Sequence, residues 1–365
     1  MRHLLQLVIF LGFCYGFSQK GEVPKVFVLD ASQFYGSILL HNPDISHLIS
    51  DHPGGIILGF NRKRFGHEDW ESEFGYPDTG FSFVYQDMNN ATLGKNFGLY
   101  AHYNFYFFKR NLQFRIGQGM AYNTNPYDKS ENFRNNAYGT HLLSSTLVLI
   151  NYHKENLVAG LGLKAGISLI HYSNANFKAP NTSTNTMALN LGLTYNLDNQ
   201  TYEYLKTETK EKISEPIRYN LVFRSGVNES DVINSGQYGF WILSAYADKR
   251  LGRKSALQLG TDVFFSNFLK ELIRFQSISF PEMEVDSDTD FKRVGLFVGH
   301  ELFMNKMSIE TQLGYYVYYP FDFEGQVYNR IGLKRYFGDK IFGAITLKSH
   351  AAKAEAVEFG IGVRL

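Results

Sequence analysis

Cysteine is almost missing from this chain: the only one in 365 residues is Cys14, and it falls in an N-terminal apolar segment. With that segment removed, no disulfide can form, and stability must come from packing and a closed hydrogen-bond ladder. Proline is scarce too, at 9 residues. Beyond the N-terminus no apolar run approaches the ~20 residues of a membrane helix. Neither charge sign is in excess; the formal net charge of +1 exerts no strong pull on nucleic acid. A phosphate-binding glycine loop and metal-ligand spacing are also missing, so neither a cofactor nor a metal is implied. What is abundant is 24 Tyr, 32 Phe and 33 Gly, a composition that suits an all-β chain.

Residues 1–18 read as a secretory signal. Arg2 and His3 form a short basic start, Leu4 to Phe13 an apolar segment, and Gly16-Phe17-Ser18 a small-residue site with cleavage before Gln19. A lipoprotein site at Cys14 is the rival reading, but Phe13 immediately before it is too bulky. Residues 19–365 are then expected to form a single outer-membrane barrel domain.

The pattern behind that expectation is alternation. Phe97, Leu99, Ala101, Tyr103, Phe105 and Phe107 share one parity, and Asn96, Gly98, Tyr100, His102 and Asn104 the other. Met187, Leu189, Leu191 and Leu193 repeat it, as do Val357, Phe359, Ile361, Val363 and Leu365. Segments of ~10 residues with one greasy and one polar or small face are the signature of a transmembrane antiparallel up-and-down β-barrel. Short turns are expected near Lys109-Arg110, Tyr152 to Glu155, Leu251 to Lys254, Met304-Asn305 and Gly338-Asp339. Longer loops are expected near 43–53, 123–137, 174–183, 267–290 and 320–325. Assigning ends this way gives about sixteen strands, with fourteen as the alternative, because 33–42 and 138–151 are weakly patterned. The polar run 198–215 breaks the rhythm. It reads as a periplasmic excursion with a short helix as one option, not as a domain boundary, since cutting a closed barrel exposes strand edges. A soluble sandwich would also alternate, but the signal segment, the aromatic content and the unbroken apolar faces count against it.

Leu157, Ala159, Leu161, Leu163, Ala165, Ile167 and Leu169 form an apolar stripe that ends in His171 and Ser173 at the same parity. Residues two apart on a strand share a face, so a base and a hydroxyl are neighbours at one end of an apolar surface. Asn185, of the same parity as Met187, comes opposite His171 if the hairpin is symmetric. The three make a polar cluster on the lipid side of the outer rim. Serine needs a base to become a nucleophile, and the base needs a third group to fix its tautomer. His171 could serve Ser173, Asn185 could orient His171, and Asn174 or tip amides could stabilise an oxyanion. By itself a His-x-Ser on a strand carries little, because such residues often only solvate the headgroup region.

The run His171-Tyr172-Ser173-Asn174-Ala175, followed by Pro180-Asn181 and an alternating strand, resembles the lipid A 3-O-deacylase (PagL-type, acyloxyacyl hydrolase) family. Looser likeness lies in Gly36 to His41, Ser46-His47-Leu48-Ile49, Asp51-His52-Pro53-Gly54, Trp70 and Tyr76-Pro77, so it spans roughly residues 30–197. The resemblance implies an outer-membrane serine esterase that removes an ester-linked 3-hydroxyacyl chain from lipid A or lipopolysaccharide. It casts Ser173 as nucleophile, His171 as general base and Asn174 as oxyanion contributor. Family members place Glu where this chain has Asn185, which can hold the ring but cannot offset its charge. The chain is also longer than the smallest members, so a wider barrel is expected. Such a protein resides in a Gram-negative outer membrane and implies the barrel assembly machinery for insertion; oligomeric state stays open.

Other ionisable residues have simpler readings. Asp286, Asp288 and Asp290 are expected as a solvated acidic loop rather than a divalent-ion site. Arg115, Arg224, Arg330, Lys334 and Arg364 are expected to pair within a polar interior rather than line a conduit. His102 and His300 read as satisfied interior or surface residues. The rival functions are a channel or transport barrel with a degenerate site, and an adhesion barrel carried by loop 267–290. Residues 216–365 match no motif beyond barrel strands.

Overall fold

The structure, a computed structural model, describes residues 23–198, 200–206, 215–351 and 353–365. The expected signal segment and Cys14 lie outside the described residues. So do position 199 and residues 207–214 of the polar run.

Sixteen strands account for almost all regular structure. The first eight are β1 (Phe27–Ile38), β2 (Gly54–Arg62), β3 (Asp78–Asp87), β4 (Lys95–Phe107), β5 (Leu112–Asn123), β6 (Leu142–Val158), β7 (Leu161–Ser173) and β8 (Thr184–Asn196). The second eight are β9 (Arg218–Asn228), β10 (Tyr238–Arg250), β11 (Ser255–Ser266), β12 (Lys292–Met304), β13 (Met307–Tyr318), β14 (Val327–Phe337), β15 (Ile341–His350) and β16 (Lys353–Arg364). Every strand pairs antiparallel with its sequence neighbour inside its own set. Two further pairs close the rings, β1 on β8 (Val28↔Asn196 to Ile38↔Thr186) and β9 on β16 (Ser225↔Phe359 to Asn220↔Arg364).

The all-β up-and-down architecture and the count of sixteen agree with the sequence reading, but the strands are shared between two closed barrels of eight rather than one barrel. The polar run falls between β8 and β9. A break there exposes no edge, because β8 turns back to β1 before the chain moves on. Its described residues 200–206 are not helical. Tyr202 and Tyr204 pack on Phe65, and the Leu205 N–H donates to Phe65 O, so the connection lies against the base of the first barrel. A wider barrel is likewise not what forms. Eight strands leave an interior that side chains can fill.

They do fill it. In the first barrel Asp30 accepts from the Arg115 guanidinium at 2.6 Å and from the Lys164 ammonium, with Asn61, Asn104 and His102 completing a buried network. Gly59 faces this cluster from β2: a Cβ there would lie 2.1 Å from Asp30 Oδ2, so only glycine admits the carboxylate. Above the charges sits an apolar layer of Phe34, Ile57, Val84, Leu147, Ile170 and Tyr172. The second barrel holds more charge. Arg224 meets Glu310 at 2.9 Å, Arg330 meets Glu358 at 2.6 Å and Asp262 at 2.9 Å, and Lys334 meets Glu301 at 2.9 Å. Arg364 pairs with Asp248 at the rim, completing the expected inward pairings.

The outer surfaces are the reverse. Leu189 is 72% exposed and Leu259 64%, and the outward positions of both barrels continue in Leu, Ile, Val and Phe. A barrel with charges inside and aliphatic side chains outside is organised for a lipid surround. Among the described residues no helix is long and apolar enough to cross a membrane.

One end of the barrels carries tight turns, such as Leu251–Lys254; the other carries longer loops. Besides the β8–β9 connection, the tight-turn end carries the long segment 63–77, with the short helix α1 (Asp69–Glu73). It reaches the second barrel, where Arg253 pairs with Glu73 at 3.3 Å and Asn305 donates to Glu68 at 2.8 Å. One expected turn is displaced. β6 runs on to Val158, with a register shift after Lys154, and reverses at Ala159-Gly160, both at positive φ. Leu157 and Ala159 therefore precede the strand that carries His171. On the loop end, α2 (Asn267–Ser279) covers the second barrel by burying Phe268, Leu269 and Ile273 beside Phe321. Asp290 in the following loop bonds Lys292 and Tyr318, and Asp286 accepts from the Asp288 N–H.

Candidate active site

β7 carries Leu161, Leu163 and Ile167 on its exposed face, and His171 and Ser173 continue that parity to the loop end. On β8 the exposed Met187, Leu189 and Leu191 set the same face for Asn185. The register pairs His171 with Asn185 directly, and His171 Nδ1 lies 2.8 Å from Asn185 Oδ1. With the amide oxygen toward the ring, Nδ1 carries the proton and Nε2 keeps its lone pair.

Ser173 shares the outward face but is only 6% exposed, because loop 174–183 folds over it. Its Oγ donates to Asn181 Oδ1 at 3.0 Å and accepts from the Ala175 N–H at 2.9 Å. Among the described residues no hydrogen bond joins Ser173 to His171. The base and its orienting group are thus assembled, while the hydroxyl is held by the loop. Asn174 is fully engaged in that loop: Nδ2 donates to Lys178 O at 2.5 Å, and Oδ1 accepts from Asn176 N at 3.1 Å. Its backbone N–H joins Ser173 in donating to Asn181 Oδ1, at 2.9 Å. Asn174 is therefore a staple of the loop; the donor on the Ser173 oxygen is the Ala175 amide, and Asn181 is the acceptor that holds its proton.

Asn181 is a site residue that strand periodicity does not reveal. Only its place in the Pro180-Asn181 step of the resemblance flags it. Two others join through neighbouring strands. Pairing sets Gln118 opposite Thr146, Thr146 opposite His171 and His171 opposite Asn185, so one polar row crosses four strands on the outer face. Thr146 Oγ1 donates to Gln118 Oε1 at 2.6 Å, and Gln118 Nε2 to Ser144 Oγ at 3.1 Å. The row below reads Ile116, Val148, Leu169 and Met187, which is apolar. The site is a polar shelf above an aliphatic wall.

Surrounding loops hold the shelf. The Leu39 N–H donates to Asn185 O at 2.7 Å, and His41 Nε2 lies 3.1 Å from Thr182 O, so the Gly36 to His41 stretch flanks the site. Loop 124–141 receives the N–H groups of Thr182 and Ser183 on Asn136 O and Ala137 O. In that loop the Glu131 N–H, with the hydroxyl and N–H of Ser130, holds the Asp128 carboxyl below its ordinary range. Among the described residues no group of His, Cys, Asp and Glu has the arrangement to hold a metal ion.

A barrel with an aliphatic outer surface, a charged interior and a polar shelf at its outward rim defines a class, the lipid-facing β-barrels. The family follows from two matches. Residues 54–194 match the model of the lipid A 3-O-deacylase (PagL), and residues 217–365 match that of the acyloxyacyl hydrolase C-terminal domain. The chain belongs to this lipid A deacylase family, and membership implies hydrolase activity and supports an outer-membrane location. The two matched segments fall on the first and second barrels respectively. No curated protein matches the chain. Solved structures with overall likeness include Acinetobacter baumannii OccAB3, 11% identical over 93% of this chain and 98% of that one, with a TM-score of 0.22. A double mutant of the Rh. blastica porin is 10% identical over 93% and 99%, with a TM-score of 0.19. Overlap at that level carries no argument.

Proposed function

We propose that this protein is a serine esterase of the Gram-negative outer membrane that removes an ester-linked 3-hydroxyacyl chain from lipid A. The observation that carries the reading is the His171–Asn185 bond beside Ser173, on the lipid-facing side of the barrel rim. A hydrolase for a water-soluble substrate has no use for that face.

The chemistry follows from the groups present. Ser173 Oγ turns from Asn181 to His171 Nε2, passes its proton to the ring and attacks the ester carbonyl carbon. Negative charge on the carbonyl oxygen meets the Ala175 N–H, the donor beside Ser173. Collapse breaks the bond to the sugar oxygen, which takes the proton from His171 and leaves as an alcohol. Water, deprotonated by His171, then releases the fatty acid from Ser173. Asn174 supports this by shaping the loop, and Asn185 holds the imidazole tautomer. The acyl chain rests against Ile116, Val148, Leu169 and Met187, while the sugar lies at the shelf. Residues 1–18 would direct export, with the barrel assembly machinery inserting the mature chain.

Mass spectrometry of lipid A from cells with and without the protein tests the reading. One acyl chain should be lost with the wild type and retained with Ser173→Ala or His171→Asn, all three proteins showing heat-modifiable migration. Unchanged lipid A with a folded wild type in the membrane overturns the proposal. A channel finds no support, because the arginines and lysines that could line a lumen are buried in ion pairs.

A further inference from the structure

The loop that holds Ser173 is itself held by the other barrel. Glu229, the first residue after β9, is 2% exposed and enters between the two barrels at their loop end. Its Oε2 accepts from the Ala179 N–H at 2.8 Å, and its Oε1 from the Gly236 N–H at 3.0 Å. Its backbone is used as well: the Glu229 N–H donates to Asn176 O at 3.1 Å, and Asn176 Nδ2 donates to Glu229 O at 3.1 Å. Gln237 adds a bond from Nε2 to Phe177 O at 2.8 Å. Among the described residues no cation lies within ion-pair distance of this carboxylate, so backbone N–H groups from both barrels are what satisfy it. A side chain buried at such a cost is specific to its geometry, since removing it leaves the buried Ala179 N–H and the half-buried Gly236 N–H unpaired.

We propose that Glu229 is a positioning residue: it clamps loop 174–181 from the second barrel and, through Asn181, sets the Ser173 hydroxyl. The link is short. Ala179 lies two residues before Asn181, whose carboxamide holds Ser173 Oγ. The clamped loop contains two residues, Ala175 and Asn176, at positive φ, a conformation that costs a non-glycine residue and that outside contacts must hold. The second barrel, which carries none of the reacting groups, thereby acquires a role in the site. The catalytic consequence rests on the hydrolase reading above; the clamp itself does not.

The test uses the full-length protein in detergent micelles, with Glu229→Ala and Glu229→Gln beside the wild type. Peptide-resolved hydrogen exchange and steady-state hydrolysis of purified lipid A are read together. For Glu229→Ala we expect exchange across 174–181 to rise at least about 10-fold, with β1–β8 and β9–β16 still protected. We expect kcat to fall about 10- to 100-fold with KM within about 3-fold, the signature of a misplaced catalytic group. Glu229→Gln keeps one acceptor and should fall between. Wild-type exchange in the loop overturns the clamp, and loosened exchange with unchanged kcat overturns its positioning role. Loosened exchange in a protein whose wild type releases no fatty acid sustains the clamp and overturns the esterase reading alone. If Glu229→Ala does not fold, Gln237→Ala removes the bond to Phe177 with both barrels intact, and the same pair of readouts decides.

Discussion

His171 Nδ1 and Asn185 Oδ1 lie 2.8 Å apart across the β7–β8 pair, so a neutral amide occupies the place where a charged group would offset an imidazolium. The bond orients the ring without sharing its charge. Asn185→Ala should lower kcat about 10- to 100-fold by freeing the ring. Asn185→Asp keeps the acceptor and adds charge, so kcat should equal or exceed wild type. Steady-state kinetics on purified lipid A checks both.

Asn181 restrains the Ser173 hydroxyl by accepting its proton at 3.0 Å. Asn181→Ala removes the shared acceptor of the Ser173 hydroxyl and the Asn174 N–H, and should reduce kcat about 10-fold by letting the nucleophile lose its position. Near-normal turnover would mean that the loop amides suffice.

Gln118 and Thr146 extend the shelf on the outer face. The pair Gln118→Leu and Thr146→Val should leave folding intact, because the face becomes more lipid-like. Each lost hydrogen bond to a sugar headgroup is worth about 1 kcal/mol, so KM should rise about 5-fold for either substitution alone and about 30-fold for the pair, with kcat little changed. Substrate titration separates the two parameters.

The buried Asp30 answers both Arg115 and Lys164. Asp30→Ala strands two cations in the interior and should cost about 3–5 kcal/mol. Urea unfolding in lipid vesicles, followed by tryptophan fluorescence, measures it. A loss below about 1 kcal/mol would mean that water reaches the cluster.

The rings close within each half of the chain, at β1–β8 and β9–β16. Residues 217–365 expressed alone should therefore fold into a heat-modifiable barrel. A product that migrates as unfolded at every temperature would show that the halves need each other.

Much of this was open to sequence reading. Alternation located most strands because inside and outside differ in polarity at every second residue, and the turn at Leu251–Lys254 and the loop 174–183 fall where predicted. His171, Ser173 and Asn185 were legible for the same reason: one parity, one face. Closure was not. β1 pairs with β8 through residues far apart in sequence, and local alternation is the same for one ring of sixteen strands or two of eight. The displaced turn at Ala159-Gly160 was hidden by the polar run Tyr152 to Glu155, which lies inside the long β6 and short of the bend. Asn181 and Glu229 act through loop conformation and contact between the halves, and neither leaves a periodic trace.

Closure in two rings also sets an order of events. Every strand of the first ring precedes every strand of the second, so the half bearing Ser173 can close without waiting for the half bearing Glu229. On the clamp proposed above, loop 174–181 gains its hold only once the second ring has closed beside the first.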